Sequence, residues 1–265
     1  MAAQATDGEP PTKTTQPPAA TSPGDRLPED LKTVYTWGTF FSILTGQADR
    51  TQTQAYFVAR DLANEEADCQ RCEAHKAILF QRSPMIRFLR EQIQELGGDV
   101  SPDVVRCRRC TGFMAGGYSR DHGILLCANV MRDRGHIEDV LSHEMVHAYD
   151  DLRFKWDHSS LRHAACAEIR ASMLSGECRW AREALGKWQW KFTGQLQECV
   201  RRRAGISMRG RVLGAKYPEL ASAGTTWDQL TEKIREDVVN ESNKAVNEVW
   251  SSCFKDTRPF DEIFR

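Results

Sequence analysis

The chain has 265 residues, of which 40% are hydrophobic and 28% are charged, and its mean hydropathy is −0.55. These values are typical of a globular chain that is long enough to bury a sizeable core. Thirty-six Lys and Arg residues against 37 Asp and Glu residues leave a formal net charge of −1, which argues against a protein that grips nucleic acid along a basic face. No stretch approaches the roughly 18–20 apolar residues that a membrane-spanning helix needs.

Residues 1–30 are predicted to form a disordered N-terminal arm. They contain six of the ten prolines, with Thr, Ser, Gln and Ala between them. A segment with so little apolar surface cannot offset the entropy lost on ordering. The arm lacks both the apolar stretch of a secretory signal and the Arg-rich pattern of a matrix presequence. We expect residues 31–265 to form a single domain.

The predicted elements of that domain are helices, a small sheet, and helices again. A long helical pattern runs through residue 80, and Ser83 followed by Pro84 predicts the start of a second helix that stops at Gly97. Short β-like runs at 103–130 predict a small antiparallel sheet with a hairpin near 120–123. Helices follow at about 137–151, 159–185 and 188–203, then a loop at 204–226 and a C-terminal helix at 227–254. The order predicts a mainly helical α+β fold.

The motif that indicates chemistry is His143-Glu144-x-x-His147, within the predicted helix at 137–151. Positions i and i+4 of a helix lie on one face, one turn apart, so the two imidazoles can bind one Zn²⁺. Glu144 lies beside that face and can accept a proton from water that zinc has made more acidic. Because zincins place an edge strand beside this helix to align a peptide substrate, the sheet ahead of it supports a zincin-like metalloprotease.

A catalytic zinc needs a third protein ligand. Asp150 lies roughly 10 Å along the helix from His143, so Asp150 and Asp151 are expected to orient an imidazole or to be helix-end charges. Glu168 is the preferred third ligand, since the small residues around it allow its helix to approach closely. The alternatives are a surface glutamate paired with an arginine, or a ligand from the reserve histidines His158 and His163. Two tyrosines, Tyr118 and Tyr149, could stabilise an oxyanion, although packing is the favoured role of each.

Residues 143–153, HEMVHAYDDLR, resemble a family of mitochondrial inner-membrane metalloproteases that also act as ATP synthase assembly factors. Four further runs are similar to the same family: LRHAACAEIRA at 161–171, SGEC at 175–178, CVRRR at 199–203 and VWSSCF at 249–254. The resemblance covers about 65–203 and 240–265. Its motifs are far more specific than the five-residue metal motif alone.

The resemblance implies a zinc endopeptidase of the intermembrane space, attached peripherally to the inner membrane. Such an enzyme processes the precursor of a mitochondrially encoded subunit of the ATP synthase Fo sector and assists Fo assembly, and it has no nucleic-acid partner. The resemblance transfers directly to His143 and His147 as metal ligands and to Glu144 as the catalytic residue. The role of Glu168 rests on the geometric argument.

The nine cysteines leave three interpretations open. Two Cys-x-x-Cys pairs, Cys69 with Cys72 and Cys107 with Cys110, could form a Cys₄ zinc site in a protease of a reducing compartment. Plain buried thiols are a second interpretation. The family resemblance favours the third, disulfides formed in the intermembrane space. Because nine is odd, at least one thiol then stays free or pairs between chains.

A non-proteolytic assembly chaperone is the competing functional class. An aromatic and basic stretch could lie on a membrane surface or on a client helix. Its aromatic residues are Trp180, Trp188, Trp190 and Phe192. An intact metal motif predicts that proteolysis at least coexists with this role.

Overall fold

The computed structural model describes residues 27–111, 114–157, 159–178 and 195–260. Most of the predicted N-terminal arm, His158 and the aromatic stretch at 180–192 lie outside these ranges. The chain divides into two units, Met1–Ala63 and Asn64–Arg265, which are described separately. The predicted single domain at 31–265 stays a prediction. Within the described part of the chain, no helix has both the length and the apolar character needed to cross a membrane.

The first unit contains α1 (Glu29–Lys32), α2 (Trp37–Leu44) and the first part of α3 (Arg50–Arg82). The Thr36 hydroxyl starts α2 by accepting the backbone N–H of Thr39 at 3.2 Å. Aromatic rings pack between α2 and α3, with the centroids of Phe40 and Tyr56 6.3 Å apart. The outer side of α2 is apolar and open to solvent, since Trp37 is 77% exposed and Leu44 is 70% exposed.

In the second unit, the end of α3 leads into α4 (Pro84–Glu95). The Ser83 hydroxyl accepts the N–H of Ile86 at 3.2 Å, and Pro84 occupies the first turn, where its missing N–H costs nothing. The apolar face of α4, formed by Ile86, Leu89 and Ile93, is buried. The helix predicted from Ser83 and Pro84 is therefore confirmed.

The sheet is mixed, so the predicted antiparallel sheet is wrong in one pairing. Its strands are β1 (Val105–Arg108), β2 (Gly116–Ser119) and β3 (Gly123–Cys127), in the order β1-β3-β2. The β2–β3 pair is the expected antiparallel hairpin, but β1 lies parallel to β3. The turn between β2 and β3 is a local signal, so the sequence predicts this hairpin. The partner of β1 is set by burial of Val105 against Ile124, and no pattern of neighbouring residues indicates this long-range pairing. β2 is left as an edge strand.

The described residues after the sheet form five α-helices: α5 (Arg134–Arg153), α6 (Leu161–Leu174), α7 (Gln195–Lys216), α8 (Pro218–Ser222) and α9 (Glu232–Cys253). A short 3₁₀ turn at Trp227–Gln229 precedes α9. The motif helix α5 packs against α4, α6 and the strands β2 and β3, and α6 packs against α7 and α9. The site helices are thus held on several sides by the core.

The predicted loop at 204–226 is wrong, because α7 continues to Lys216 and α8 follows it. Four glycines lower the helix propensity of this stretch, which is why the sequence indicates a loop. Buried Ala204, Met208 and Val212 recur every four residues, however, and packing of such a face outweighs propensity. A Cβ at Gly205 would lie 2.7 Å from Asn243 Oδ1, so this glycine permits the close approach of α9.

Four disulfides confirm the oxidised interpretation of the cysteines: Cys72–Cys107, Cys110–Cys127, Cys166–Cys253 and Cys178–Cys199. The Cys₄ zinc hypothesis is wrong, because all but one of its four sulfurs are bonded to other sulfurs. The remaining cysteine, Cys69, is free. The bonds join α3 to β1, the end of β1 to β3, α6 to α9, and the segment after α6 to α7.

Candidate active site

The helix α5 presents its motif residues to an open cleft. Asp133 starts the helix by accepting the N–H of His136 at 2.8 Å. The opposite face, with Leu141 and Met145 fully buried, anchors the helix in the core. His143, Glu144 and His147 line a cleft of about 1230 Å³ together with residues of β2, α6 and α7.

The structure brings Glu168 of α6 to the two motif histidines. Glu168 Oε2 lies 3.4 Å from His143 Nε2, and Glu168 Oε1 lies 3.6 Å from His147 Nε2. One donor atom from each residue falls within 4.8 Å of the others. Glu168, which the sequence favours over the other carboxylates near the motif, thus lies in a group of three residues that could hold a metal ion.

Two observations show that this cluster fits a zinc ion. Two tetrahedral ligands, each about 2.1 Å from zinc, lie roughly 3.4 Å apart, which matches the nitrogen–oxygen separations. Among the described residues, the buried Glu168 Oε2 also has no hydrogen-bond partner. A buried carboxylate oxygen without a partner is costly, and a bound cation offsets that cost. Two imidazoles and one carboxylate are a donor set that zinc prefers.

The electrostatics of the cluster favour metal binding as well. Burial lowers the pKa of His147 to about 4, so at neutral pH the imidazole is uncharged and keeps a lone pair to donate. Burial alone would raise the pKa of Glu168, but the neighbouring His147 and the contact with His143 outweigh it and lower the pKa to about 2. Burial alone would lower the pKa of His143, but the contact with Glu168 and the charges of Glu144 and Glu168 outweigh it and raise that pKa. The cluster therefore combines the neutral imidazole of His147 with an ionised carboxylate, and a metal ion would compete with a proton for His143.

Glu144 lies next to this cluster in a different environment. Burial raises its pKa to about 7, and the charge of Glu168 acts in the same direction, whereas His143 opposes the shift. The backbone N–H of Tyr118, in β2, donates to its carboxylate. A carboxylate with a pKa near neutrality can both take up and release a proton.

The edge strand β2 passes close over α5 at Gly116. A Cβ on this residue would lie 2.7 Å from Val140 Cγ1 and 3.3 Å from Glu144 Oε1. Only glycine therefore allows the strand to approach Glu144 this closely. The sequence predicted an edge strand beside the motif helix, and the structure has it there.

Asp150 and Asp151 are bound by arginine side chains. Asp150 is fully buried and accepts two hydrogen bonds from Arg170, both at 2.8 Å. Asp151 accepts from the Tyr118 hydroxyl at 3.0 Å and from Arg120 at 2.8 Å. The expectation that they stand as helix-end charges open to solvent is wrong, because both are buried and bind arginines from α6 and from the turn after β2. The alternative, that they orient an imidazole, stays a prediction.

Glu177, to which the sequence pattern assigned no role, contacts the far nitrogen of His143. Its Oε1 lies 3.4 Å from His143 Nδ1, and its side chain is only 7% exposed. Its other oxygen, Oε2, pairs with Arg203 of α7. The only signal in the sequence was the position of Glu177 in the SGEC run that resembles the family.

Two other candidates that the structure describes, His163 and Tyr149, are not part of the metal-binding group. His163 Nδ1 accepts the backbone N–H of Asp157 at 3.1 Å. Tyr149 is buried in the core, as expected for a packed tyrosine. The second reserve ligand, His158, lies outside the described residues.

Comparison with known proteins decides the family. The model of the peptidase M76 family matches residues 70–223, more than half of the chain. The chain belongs to the peptidase M76 family. It is a metallopeptidase, and the cluster of His143, His147 and Glu168 is its candidate metal site.

Curated relatives of this M76 peptidase are similar over most of its length. The mitochondrial inner membrane protease atp23 of Neosartorya fischeri is 54% identical over 230 residues, which cover 86% of this chain and 88% of the relative. The protein of the same name from Aspergillus oryzae is 48% identical over 257 residues, 96% and 98% of the two chains. ATP23 of Pyricularia oryzae is 46% identical over 241 residues, 86% and 80% of the two chains. No solved structure matches the M76 peptidase.

Proposed function

We propose that the protein is a zinc endopeptidase in which His143, His147 and Glu168 bind the zinc ion and Glu144 is the catalytic residue. The observation that supports this most directly is the convergence of three metal donors within 4.8 Å of one another beside a carboxylate with a pKa near 7. Zinc in such a site supplies Lewis acidity, which polarises a carbonyl and makes water more acidic. Proton transfer and substrate binding are carried out by groups of the protein chain.

Glu144 takes the proton of the attacking water and passes it to the leaving amine. Its pKa of about 7 suits both steps, because a general base acts best when its pKa is near the working pH. The Tyr118 N–H fixes the direction of the carboxylate. Removal of this hydrogen bond would leave Glu144 free to turn away from the substrate.

The edge strand β2 supports endopeptidase rather than exopeptidase activity. The cleft is open and is bounded on one side by β2, whose outer edge can pair with an extended peptide. A substrate bound in this way extends past the metal cluster in both directions. Cleavage then falls within a chain and not at its end.

The names of the relatives support a place at the mitochondrial inner membrane. Each is a mitochondrial inner membrane protease, and the four disulfides suit the oxidising intermembrane space. The substrate is the precursor of a mitochondrially encoded ATP synthase Fo subunit, and the protein also assists Fo assembly. Both assignments rest on the family resemblance.

The aromatic face of α2 supports a peripheral contact with that membrane. Residues 33–48 include no charged side chain, and Trp37, Phe41 and Leu44 are 77%, 55% and 70% exposed. Aromatic and aliphatic groups of this kind favour the boundary between headgroups and acyl chains. Replacing all three with Ser should abolish sedimentation with phosphatidylcholine–cardiolipin vesicles, whereas Leu96→Ser, an exposed leucine of the second unit, should not. Unchanged sedimentation of the triple variant contradicts this contact.

Glu144→Gln tests the enzyme and separates it from the chaperone. The amide cannot take a proton, so cleavage of the precursor should fall by about 100- to 10,000-fold, while the zinc content stays at one per chain. Glu248→Gln, an exposed residue of α9, makes the same chemical change away from the site and should cleave normally. Retained cleavage by Glu144→Gln excludes this mechanism. Retained Fo assembly without cleavage supports an independent assembly role.

A further inference from the structure

We propose that Glu177 is a positioning residue of the metal site, which holds the His143 ring so that Nε2 faces the metal. The inference rests on the proposed metal site and deepens it. His143 has two ring nitrogens with different neighbours, Nε2 facing Glu168 at 3.4 Å and Nδ1 facing Glu177 at 3.4 Å. The ring therefore lies between a carboxylate of the metal cluster and a carboxylate outside it.

A neutral imidazole has one N–H, and both ring nitrogens of His143 face a carboxylate oxygen at 3.4 Å, so the metal-free ring can donate to either Glu168 or Glu177. A metal ion bound at Nε2 would use the lone pair of that nitrogen, which leaves the N–H on Nδ1. Glu177 is the carboxylate placed to accept this N–H. A carboxylate partner also makes the imidazole a stronger electron donor to a metal.

The burial of Glu177 argues that the contact with His143 is specific. Its side chain is only 7% exposed, and Oε1 has no other hydrogen-bond partner among the described residues. A buried carboxylate oxygen of this kind needs a donor. The 3.4 Å separation is long for a hydrogen bond, and a small rotation of the imidazole on metal binding would shorten it.

Two attachments to α7 hold Glu177 in place. Its Oε2 pairs with Arg203, and the next residue, Cys178, is bonded to Cys199. Cys199 and Arg203 are four residues apart in α7, so both attachments come from one face of that helix. Gly176, with a φ of 85°, makes the turn that brings this segment there from the end of α6.

A purely structural role is the competing explanation. Glu177 would then serve only to pair with Arg203 and to fasten the segment after α6. In that case, substitution of Glu177 and substitution of Arg203 would lower the stability by similar amounts, and neither would change the affinity for zinc. The two explanations differ in what happens when Arg203 is removed and the carboxylate is kept.

The test measures zinc affinity by competition with a chromogenic chelator on the full, oxidised chain. Glu177→Ala should bind zinc about 10- to 100-fold more weakly than the wild type, the usual effect of losing a carboxylate behind a histidine ligand. Glu177→Gln keeps an acceptor oxygen and the shape of the side chain, so its affinity should fall between the two. Arg203→Ala should stay within about threefold of the wild type. The cobalt-substituted protein should show a shifted visible spectrum for Glu177→Ala alone.

The outcomes are distinguishable from a failure of the metal site itself. If His143→Ala keeps one tightly bound zinc, the proposed metal site is wrong. If His143→Ala loses zinc while both Glu177 variants bind it like the wild type, the site stands and the positioning role is overturned. Equal effects of Glu177→Ala and Arg203→Ala on zinc affinity also overturn it. If Glu177→Ala does not fold, Glu177→Gln alone decides, and unchanged affinity in that variant rejects the role.

Discussion

Two successive turns of α5 contain acidic and basic groups that look alike in the sequence and behave differently in the structure. The turn from His143 to His147 faces a carboxylate that lacks a complete set of partners, since the buried Glu168 Oε2 has no hydrogen bond among the described residues. The next turn contains Asp150 and Asp151, whose carboxylates are saturated by arginine and tyrosine donors. The carboxylate that faces the histidines can therefore accept a cation, whereas the carboxylates of the next turn are already bound to side chains of the protein.

The largest loss in the free energy of unfolding is expected from a substitution at Asp150. Asp150→Asn removes the carboxylate that accepts two hydrogen bonds from Arg170, whose side chain is 2% exposed, while Asp256 still pairs with this arginine at 3.0 Å. Removal of one member of a buried ion pair costs about 3–5 kcal/mol when the other charge is left unpaired, so with Asp256 retained we expect a loss at the low end, about 3 kcal/mol, in the free energy of unfolding. Urea denaturation of the metal-free protein measures it. Asp99→Asn, at an exposed position, is the matched control, and a loss below about 1 kcal/mol would mean that the pair contributes little to the framework.

A smaller loss of stability is expected from a substitution at Gly116, which lies against both the core residue Val140 and the site residue Glu144. The Cβ of Gly116→Ala collides with Val140 and approaches Glu144, so we expect a loss of about 1–3 kcal/mol in stability together with reduced kcat/KM. Gly117→Ala is the control, since a Cβ there meets nothing within 4 Å. Thermal unfolding and precursor cleavage are measured on both variants. Equal behaviour of the two would show that β2 can move away from α5 without cost.

The smallest effect is expected at Tyr118. Tyr118→Phe removes one of several hydrogen bonds to Asp151, which keeps those from Arg120, so the loss of stability should be about 0.5–1.5 kcal/mol. Because this hydroxyl is bound to Asp151, the rate of precursor cleavage should change little. If the variant instead cleaves the precursor about 100-fold more slowly, or slower still, Tyr118 has the oxyanion role that its place beside the site also allows.

The sequence predicted the parts of this molecule that are set by local spacing. The helical register places His143 and His147 on one face, the small residues around Glu168 predict close helix packing, and the turn near 120–123 predicts the hairpin. Each of these signals lies within a few residues of the feature that it predicts. The local physical chemistry was therefore enough to find the metal cluster.

The parts that the sequence did not predict depend on distant partners. Asp150 and Asp151 could not be excluded from the site without knowing that Arg170 and Arg120 reach them. Glu177 lies beside His143 in a segment that the Cys178–Cys199 bond and Arg203 attach to α7, and α7 itself packs against α6 and α9. Such long-range pairings leave no periodic signal in the sequence.

The short length of β2 limits when a client protein can be cut. The strand has four residues, Gly116–Ser119, which span about 13 Å at 3.3 Å per residue. A peptide can pair with it only while its own backbone groups are free, before they enter a helix or another sheet. If the substrate pairs with β2 as proposed, the cleft can cleave a segment only before that segment folds, and it leaves the same bond intact once the segment is paired within the mature client.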